Sequence, residues 1–162
     1  MNIPKTLYHG TFWPEGTKLG RGGLKTDYEY VSATPDKRWA RYFAMQRRVR
    51  FRDKAGILAL YEIDTSKLSQ RNRKRAIPPD GLDPRLDRKG EEEMREERIR
   101  VGDWRIPTIP LNAIVGKEET QRGAEPHLNY RDLIRQYHPD NLDNPDNLDL
   151  LLDDPDILDL LF

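Results

Sequence analysis

Three segments with the pattern of a β-strand each contain one residue that could do chemistry: His9, Tyr30 and Glu97. The segments are Leu7-Tyr8-His9-Gly10-Thr11, Tyr30-Val31-Ser32-Ala33-Thr34 and Glu97-Arg98-Ile99-Arg100-Val101. An aromatic side chain holds a planar ring by stacking, and a fixed carboxylate stabilises positive charge that develops during a reaction. A glycine beside the histidine lets a ligand approach the backbone closely. These residue types suit a pocket for a ligand that contains a planar ring.

Together the segments resemble the histidine, tyrosine and glutamate triad of ADP-ribosyltransferases of the diphtheria-toxin and PARP type. The similarity to the small rifampicin-modifying transferases is close over residues 7–42 and weaker beyond them. The resemblance implies that the chain cleaves NAD at the nicotinamide–ribose bond and transfers ADP-ribose to a protein or nucleic-acid acceptor. NAD is then a substrate, and no metal is expected.

The resemblance also implies roles for the residues of the first two segments. It assigns His9 to the adenosine-side ribose of NAD and the backbone of Gly10 to the nicotinamide carboxamide, with Thr11 beside it. Tyr30 would stack on nicotinamide, and Tyr42, one turn into the next helix, would close the other face of the ring. From the residues alone, the alternatives are that His9 is an incidental histidine at a strand end and that both tyrosines are core aromatics.

Ser32 belongs to the same expected NAD pocket. An alternative interpretation pairs Ser32 with Thr34, because related toxins use two hydroxyls here together with an arginine on the first strand. The first strand of this chain has His9 in place of that arginine, which favours the histidine class.

Glu97 is the expected catalytic carboxylate. If Glu97 begins a strand, its side chain shares one face with Ile99 and Val101, and the family's glutamate begins a strand of this shape. Glu96 is the main rival, because a register shift of one residue exchanges the two faces of a strand. Arg95 occupies the position where toxins that modify arginine often have Glu or Gln, which argues against an arginine acceptor.

The resemblance implies an α+β fold of the ADP-ribosyltransferase type, with two packed, curved antiparallel sheets and few helices. Apolar patterns bounded by Gly and Pro predict strands over residues 5–9, 28–32, 56–63, 97–104 and 111–115. A helix is predicted over residues 36–48, because Thr34 is a suitable N-cap and Pro35 suits the first turn. Residues 70–93 are charged and lack apolar periodicity, which predicts a long loop.

Composition limits the class of protein. The chain has 162 residues and no cysteine, which excludes disulfides and thiolate metal sites. Its three histidines lack the spacing of metal ligands. No run approaches the roughly 18 apolar residues of a membrane span, and residues 1–11 do not resemble a signal peptide. We therefore expect a cytoplasmic protein with no membrane association.

A charge asymmetry predicts two parts with different roles. Residues 1–116 contain 24 Lys+Arg and 16 Asp+Glu, a net charge of +8, whereas residues 117–162 contain 4 and 12, a net charge of −8. We expect a transferase-like domain over residues 1–116, a linker over residues 117–128 and an acidic tail over residues 129–162, helical or partly disordered. The tail is expected to bind the basic domain or a basic partner.

Two further features keep a second class of function open, a non-catalytic binding module on the same fold. Eight basic residues could bind the phosphates of a nucleic acid. They are Arg47, Arg48, Arg50, Arg52, Arg71, Arg73, Lys74 and Arg75. Residues 129–140 resemble the second helix and the His-Pro-Asp loop of a J-domain, which would make the chain a chaperone adaptor. The flanking residues lack the other helices that a whole J-domain needs.

Overall fold

The structure, a computed structural model, describes residues 2–25, 30–83 and 88–142. The start of the strand predicted over residues 28–32 and the tail from residue 143 onward lie outside the described residues. The strands are β1 (Thr6–Pro14), β2 (Val31–Ala33), β3 (Gly56–Asp64), β4 (Trp104–Ile106) and β5 (Ile114–Arg122). The helices are α1 (Lys37–Arg50), α2 (Gln70–Arg75), α3 (Arg88–Val101), α4 (Tyr130–Tyr137) and α5 (Pro139–Leu142). Short 3-10 turns span Thr65–Lys67 and Leu111–Ala113.

The described residues form a mixed α+β structure with two small antiparallel sheets, which confirms the coarse fold class. One sheet has three strands in the order β1-β3-β5. The other pairs β2 with β4, in the register Val31↔Ile106, Ser32↔Arg105 and Ala33↔Trp104. None of the described helices is long and apolar enough to cross a membrane.

The chain divides into two compact units. The first contains Met1–His9, Lys18–Lys37 and Tyr61–Glu118, and its buried apolar side chains include Leu7, Val31, Ile63, Ile106 and Ile109. The second contains Gly10–Thr17, Arg38–Leu60 and Glu119–Phe162, and its buried apolar side chains include Phe12, Ala40, Met45, Ala59 and Leu133.

Three of the predicted elements are confirmed in place. The helix predicted over residues 36–48 is α1, whose buried side chains recur at helical spacing at Trp39, Tyr42, Met45 and Val49. The central apolar strand is β3. The first strand is β1, although it continues through Gly10 to Pro14 instead of ending at the glycine.

The strand predicted to start at Glu97 is wrong, because residues 88–101 form α3. The alternation of Ile99 and Val101 suggested a strand, but only Val101 is buried, and Ile99 is exposed. The short strand β4 follows the helix and begins at Trp104. Charged residues along the helix contribute no apolar stripe, and this is why its periodicity was not visible in the sequence.

Two other boundaries also differ from the predictions. The long loop predicted over residues 70–93 contains α2 and the start of α3. The linker predicted over residues 117–128 begins inside β5, which runs to Arg122. β5 is an edge strand, and most of its side chains are polar and exposed. Its sequence therefore lacks the apolar alternation of a strand, although its backbone pairs with β3.

Candidate active site

The first predicted site residue, His9, is positioned by a short bridge between two parts of the first unit. Tyr8 N donates to Thr34 O at 2.7 Å, and Thr34 N donates to Tyr8 O at 3.0 Å. This antiparallel bridge brings His9 next to Ser32, with 2.7 Å between His9 Nδ1 and the Ser32 carbonyl oxygen. A carbonyl oxygen only accepts, so Nδ1 holds the proton, and Nε2 is the acceptor nitrogen of the neutral ring.

Ser32 contacts both His9 and Asp103. It lies in the middle of β2, where Val31 and Ala33 are buried and Ser32 itself is exposed. Its carbonyl faces His9, and its hydroxyl lies 3.5 Å from Asp103 Oδ2, a long and weak hydrogen bond. Ser32 thus contacts an imidazole through its carbonyl oxygen and a carboxylate through its own hydroxyl.

Asp103 owes its position to the way in which α3 ends. Gly102 has a φ of +73°, and its N–H donates to Ile99 O at 3.2 Å, while Asp103 N donates to Arg98 O at 2.9 Å. These two bonds, with a left-handed glycine between them, are a Schellman motif. Because the motif stops the helix and reverses the chain, Asp103 comes to lie at the entrance of β4.

The surroundings of Asp103 disfavour its charged form. Its side chain is 13% exposed, and its Oδ1 atom is buried with no hydrogen-bond partner. Burial raises the pKa of Asp103 to about 6, Arg105 and Arg98 oppose this rise, and Glu97 adds to it. Desolvation exceeds the attraction of the two guanidinium groups, as expected for a carboxylate taken out of water with one oxygen unsatisfied.

The two arginines near Asp103 have other partners that hold them in place. Arg98, 3% exposed, donates to the carbonyl oxygens of Gly81 and Pro78 at 3.0 and 3.1 Å. Arg105 pairs with the buried Asp83 at 3.0 Å. Both arginines thus attach residues 78–83 to the end of α3 and to β4. The Nε of Arg98 lies 3.9 Å from Asp103 Oδ2, a distant ion pair.

Glu97, the predicted catalytic carboxylate, lies exposed in the last turns of α3. Its charge is close enough to Asp103 to raise the pKa of that carboxyl. Glu96 is also exposed in α3. Tyr30 is half-buried and directly precedes β2. The structure therefore places His9 and Ser32 together, with Tyr30 two residues along the chain from Ser32, and it adds Asp103, which the sequence interpretation did not single out.

Gly10 and Thr11 belong to the second unit, in the part of β1 that packs on α1. A Cβ atom added at Gly10 would lie 1.7 Å from the carbonyl oxygen of Ala40. Contact between a strand and the backbone of a helix thus requires glycine here. Thr11 is 5% exposed. The contact with Ala40 gives Gly10 a packing role that is independent of any ligand.

Tyr42 lies in an aromatic cluster of the second unit, formed with Trp39, Phe43 and His138. Its ring is perpendicular to that of Trp39 at 5.7 Å and to that of His138 at 5.0 Å, the edge-to-face arrangement that aromatic rings prefer. Tyr42 is 4% exposed. This is the position that the core-aromatic interpretation of Tyr42 predicted.

His138 follows α4, in the segment that the sequence suggests is a J-domain-like loop, and its surroundings are those of a packed residue. Its ring contacts Trp39 at 4.9 Å, and its Nδ1 accepts from Asp140 N at 3.2 Å. Leu133 and Tyr137 of the same helix are buried. Residues 123–129, before α4, form no helix. The start of the predicted tail is thus part of the second unit.

One predicted phosphate-binding residue, Arg48, is fully buried. Its guanidinium donates to the carbonyl oxygens of Phe51, Lys54 and Gly123 and pairs with Glu125 at 3.3 Å. Desolvation lowers the pKa of Arg48. The prediction that it contacts a nucleic acid is wrong, because each of these bonds ties it to the interior of the second unit.

Comparison of the chain with protein-family models, with curated proteins and with solved structures gave no match. Among the described residues, no group of three or more His, Asp or Glu side chains is arranged to hold a metal ion. Within residues 2–25, 30–83 and 88–142, the candidate group for chemistry is His9, Ser32 and Asp103, with Tyr30 two residues before Ser32 in the sequence.

Proposed function

We propose that the chain is an NAD-dependent mono-ADP-ribosyltransferase with an ADP-ribosyltransferase-like fold. One observation carries the proposal: Ser32 of β2 contacts His9 of β1 through its carbonyl oxygen and Asp103, which precedes β4, through its hydroxyl. In the resemblance, the first strand supplies the histidine, the second the tyrosine and hydroxyl, and a later strand the carboxylate. Asp103, directly before β4, follows His9, Tyr30 and Ser32 along the chain and corresponds to the carboxylate of that series.

The chemistry requires a fixed negative charge beside the reacting ribose. When the bond between nicotinamide and ribose breaks, its electron pair leaves with the nicotinamide nitrogen, and positive charge develops at the ribose. A preorganised carboxylate stabilises that charge more than it stabilises bound NAD, which is the condition for raising the rate. The low exposure of the Asp103 side chain, 13%, supports this role for Asp103.

We therefore assign the role of catalytic carboxylate to Asp103, in place of Glu97. Asp103 adjoins Ser32 and is held by the backbone bonds that end α3, whereas Glu97 is exposed on the helix. A rigid, desolvated charge is worth more in a transition state than a solvated one. Glu97 would act indirectly, by raising the pKa of Asp103.

The test is nicotinamide release from NAD by the full chain and by three single variants. Asp103→Asn removes the charge at nearly constant size, and we expect turnover to fall by about 10²–10³ while NAD binding persists. Glu97→Gln should keep most of the activity and move the acidic limb of the pH–rate profile to lower pH. Glu96→Gln is the matched control on the same helix and should behave like the wild type.

The outcomes separate the alternatives. If Glu97→Gln is inactive and Asp103→Asn is active, the carboxylate is Glu97, as the resemblance alone implies. If the wild type neither binds NAD nor releases nicotinamide, the transferase proposal fails. Ala substitutions at His9 or Tyr30 should chiefly weaken NAD binding, because their contacts exist before the bond breaks.

A further inference from the structure

The helix α2 presents a concentrated positive charge on the first unit. Four of its six residues are cationic and exposed: Arg71, Arg73, Lys74 and Arg75. No acidic residue occurs between residues 65 and 77, and the helix buries none of its side chains. We call these four side chains the α2 cations. Arg71, Lys74 and Arg75 have the spacing that places residues on one side of a helix.

The carboxylates of residues 2–25, 30–83 and 88–142 do not neutralise the α2 cations. Within the part of the chain that the structure describes, none of the four forms an ion pair. By contrast, Arg105 of the same unit pairs with the buried Asp83 at 3.0 Å, and Arg98 lies 3.9 Å from Asp103. An exposed group of cations without carboxylate partners repels itself, so it costs some stability unless an anion occupies it.

The helix is fixed beside the candidate active site. Its start is capped by Ser69, whose hydroxyl accepts from Asn72 N at 3.1 Å, and the Asn72 side chain donates to Thr108 O at 3.0 Å. Just after the helix, Ile77 and Arg105 exchange two backbone hydrogen bonds of 2.8 and 3.0 Å. Arg105 is in turn the register partner of Ser32. A short series of paired residues thus connects α2 to the residue that contacts both His9 and Asp103.

We propose that the α2 cations hold a nucleic acid by its phosphates, so that nucleic acid is the acceptor class of the transferase; the acceptor role rests on the proposed function. Three of the four are arginines, whose planar guanidinium matches phosphate oxygens in pairs. In the transfer, an N–H or O–H group of the nucleic acid attacks the ribose carbon. The bond to nicotinamide breaks with its electrons on the nicotinamide nitrogen, and the attacking group loses its proton to water.

The experiment measures binding separately from catalysis. Fluorescence anisotropy of a labelled oligothymidylate of about 20 nucleotides is followed with the full chain across salt concentrations. Four phosphate contacts to a single strand predict a slope of log affinity against log salt of about −2.8, or about 50-fold weaker binding between 50 and 200 mM salt. The fourfold variant is Arg71→Gln, Arg73→Gln, Lys74→Gln, Arg75→Gln. Its slope should differ from that of the wild type by about 2.8 and lie near zero. Gln keeps the helix propensity of Arg and Lys.

The matched control removes four other exposed cations of the same unit. These are Lys5→Gln, Lys18→Gln, Arg21→Gln and Lys25→Gln. The control has the same net charge as the test variant and should keep most of the slope. An equal loss in both variants, or no loss in the α2 variant, overturns the proposal. Equal displacement of the oligonucleotide by polyglutamate at matched charge also overturns it, because the surface would then take an acidic protein.

Binding and turnover have separate outcomes. The α2 variant should release nicotinamide from NAD like the wild type when no acceptor is present. It should fail to label the oligonucleotide from radiolabelled NAD. If the oligonucleotide binds in the expected way but no variant and no wild type cleaves NAD, the binding surface stands, and the proposed function and the acceptor role fail.

Discussion

Replacing Asp103 with Asn should change the pH dependence of stability as well as activity. The pKa of this carboxyl is raised from 3.8 to about 6, chiefly by burial. The folded protein therefore holds the Asp103 proton more tightly than the unfolded chain does. The contribution of this group to stability is fully present below pH 3.8 and is lost progressively as the pH rises to about 6.

The magnitude follows from the size of the shift. One pKa unit corresponds to about 1.4 kcal/mol, so the shift from 3.8 to about 6 implies a cost of about 3 kcal/mol for the charged side chain at neutral pH. Between pH 4.5 and pH 8, titration of this group should lower the stability of the wild type by about 2 kcal/mol. The Asn variant lacks the titration. The difference in unfolding free energy between the two proteins should therefore change by about 2 kcal/mol over this range, in favour of Asn at high pH.

The assay is urea unfolding of both proteins at several pH values, followed by circular dichroism. The quantity compared is how the difference in unfolding free energy between the two proteins changes with pH. The Asn amide adds a cost to folding, but this cost is the same at every pH and cancels in the comparison. A constant difference from pH 4.5 to pH 8 would refute the raised pKa. A difference that moves in favour of the wild type as the pH rises would mean that Asp103 acts mainly as the partner of Arg98.

Three further predictions concern the second unit and are checked by urea unfolding. Arg48→Met should cost about 3 kcal/mol or more, because three carbonyl oxygens and a carboxylate lose their buried donor, whereas Arg50→Met, on the exposed side of the same helix, should change stability by less than about 0.5 kcal/mol. Gly10→Ala should cost several kcal/mol, because the Ala40 backbone cannot yield to the new methyl group. Gly20→Ala should be nearly neutral, because no atom lies within 4 Å of an added Cβ. Similar losses of stability at both glycines would contradict the close contact at Gly10. Leu133→Ala should cost about 2–5 kcal/mol, and a neutral result would mean that α4 is not part of the core.

The elements that could be predicted from the sequence are those whose pattern is local. α1 follows a Thr-Pro start and has buried residues at helical spacing, and β3 is a continuous apolar run. α3 could not be predicted in the same way. Its final residues alternate like a strand, and the feature that decides for a helix is the Schellman ending at Gly102, which depends on the conformation of one glycine.

The candidate site shows the same division between local and non-local information. The segments around His9 and Ser32 stand out because their motifs resemble those of the transferase family, and the bridge between Tyr8 and Thr34 pairs them. The carboxylate was not recognisable, because five glutamates crowd the sequence just before it. A signal did exist: Gly102-Asp103-Trp104 sets a carboxylate between a helix-ending glycine and the first residue of β4. That signal requires the end of α3 to be known first.

The energetics of Asp103 favour a chemical role over a structural one. Arg105 already has a buried carboxylate partner in Asp83 at 3.0 Å, and Arg98 already donates to two backbone carbonyls. Asp103 adds a 3.9 Å ion pair to Arg98 and one weak contact to Ser32, and its Oδ1 stays unsatisfied. A charge that costs the fold more than it returns is the expected state of a group kept for catalysis. If Asp103→Asn is both less stable at every pH and fully active, that reasoning fails, and Asp103 is a structural partner of Arg98.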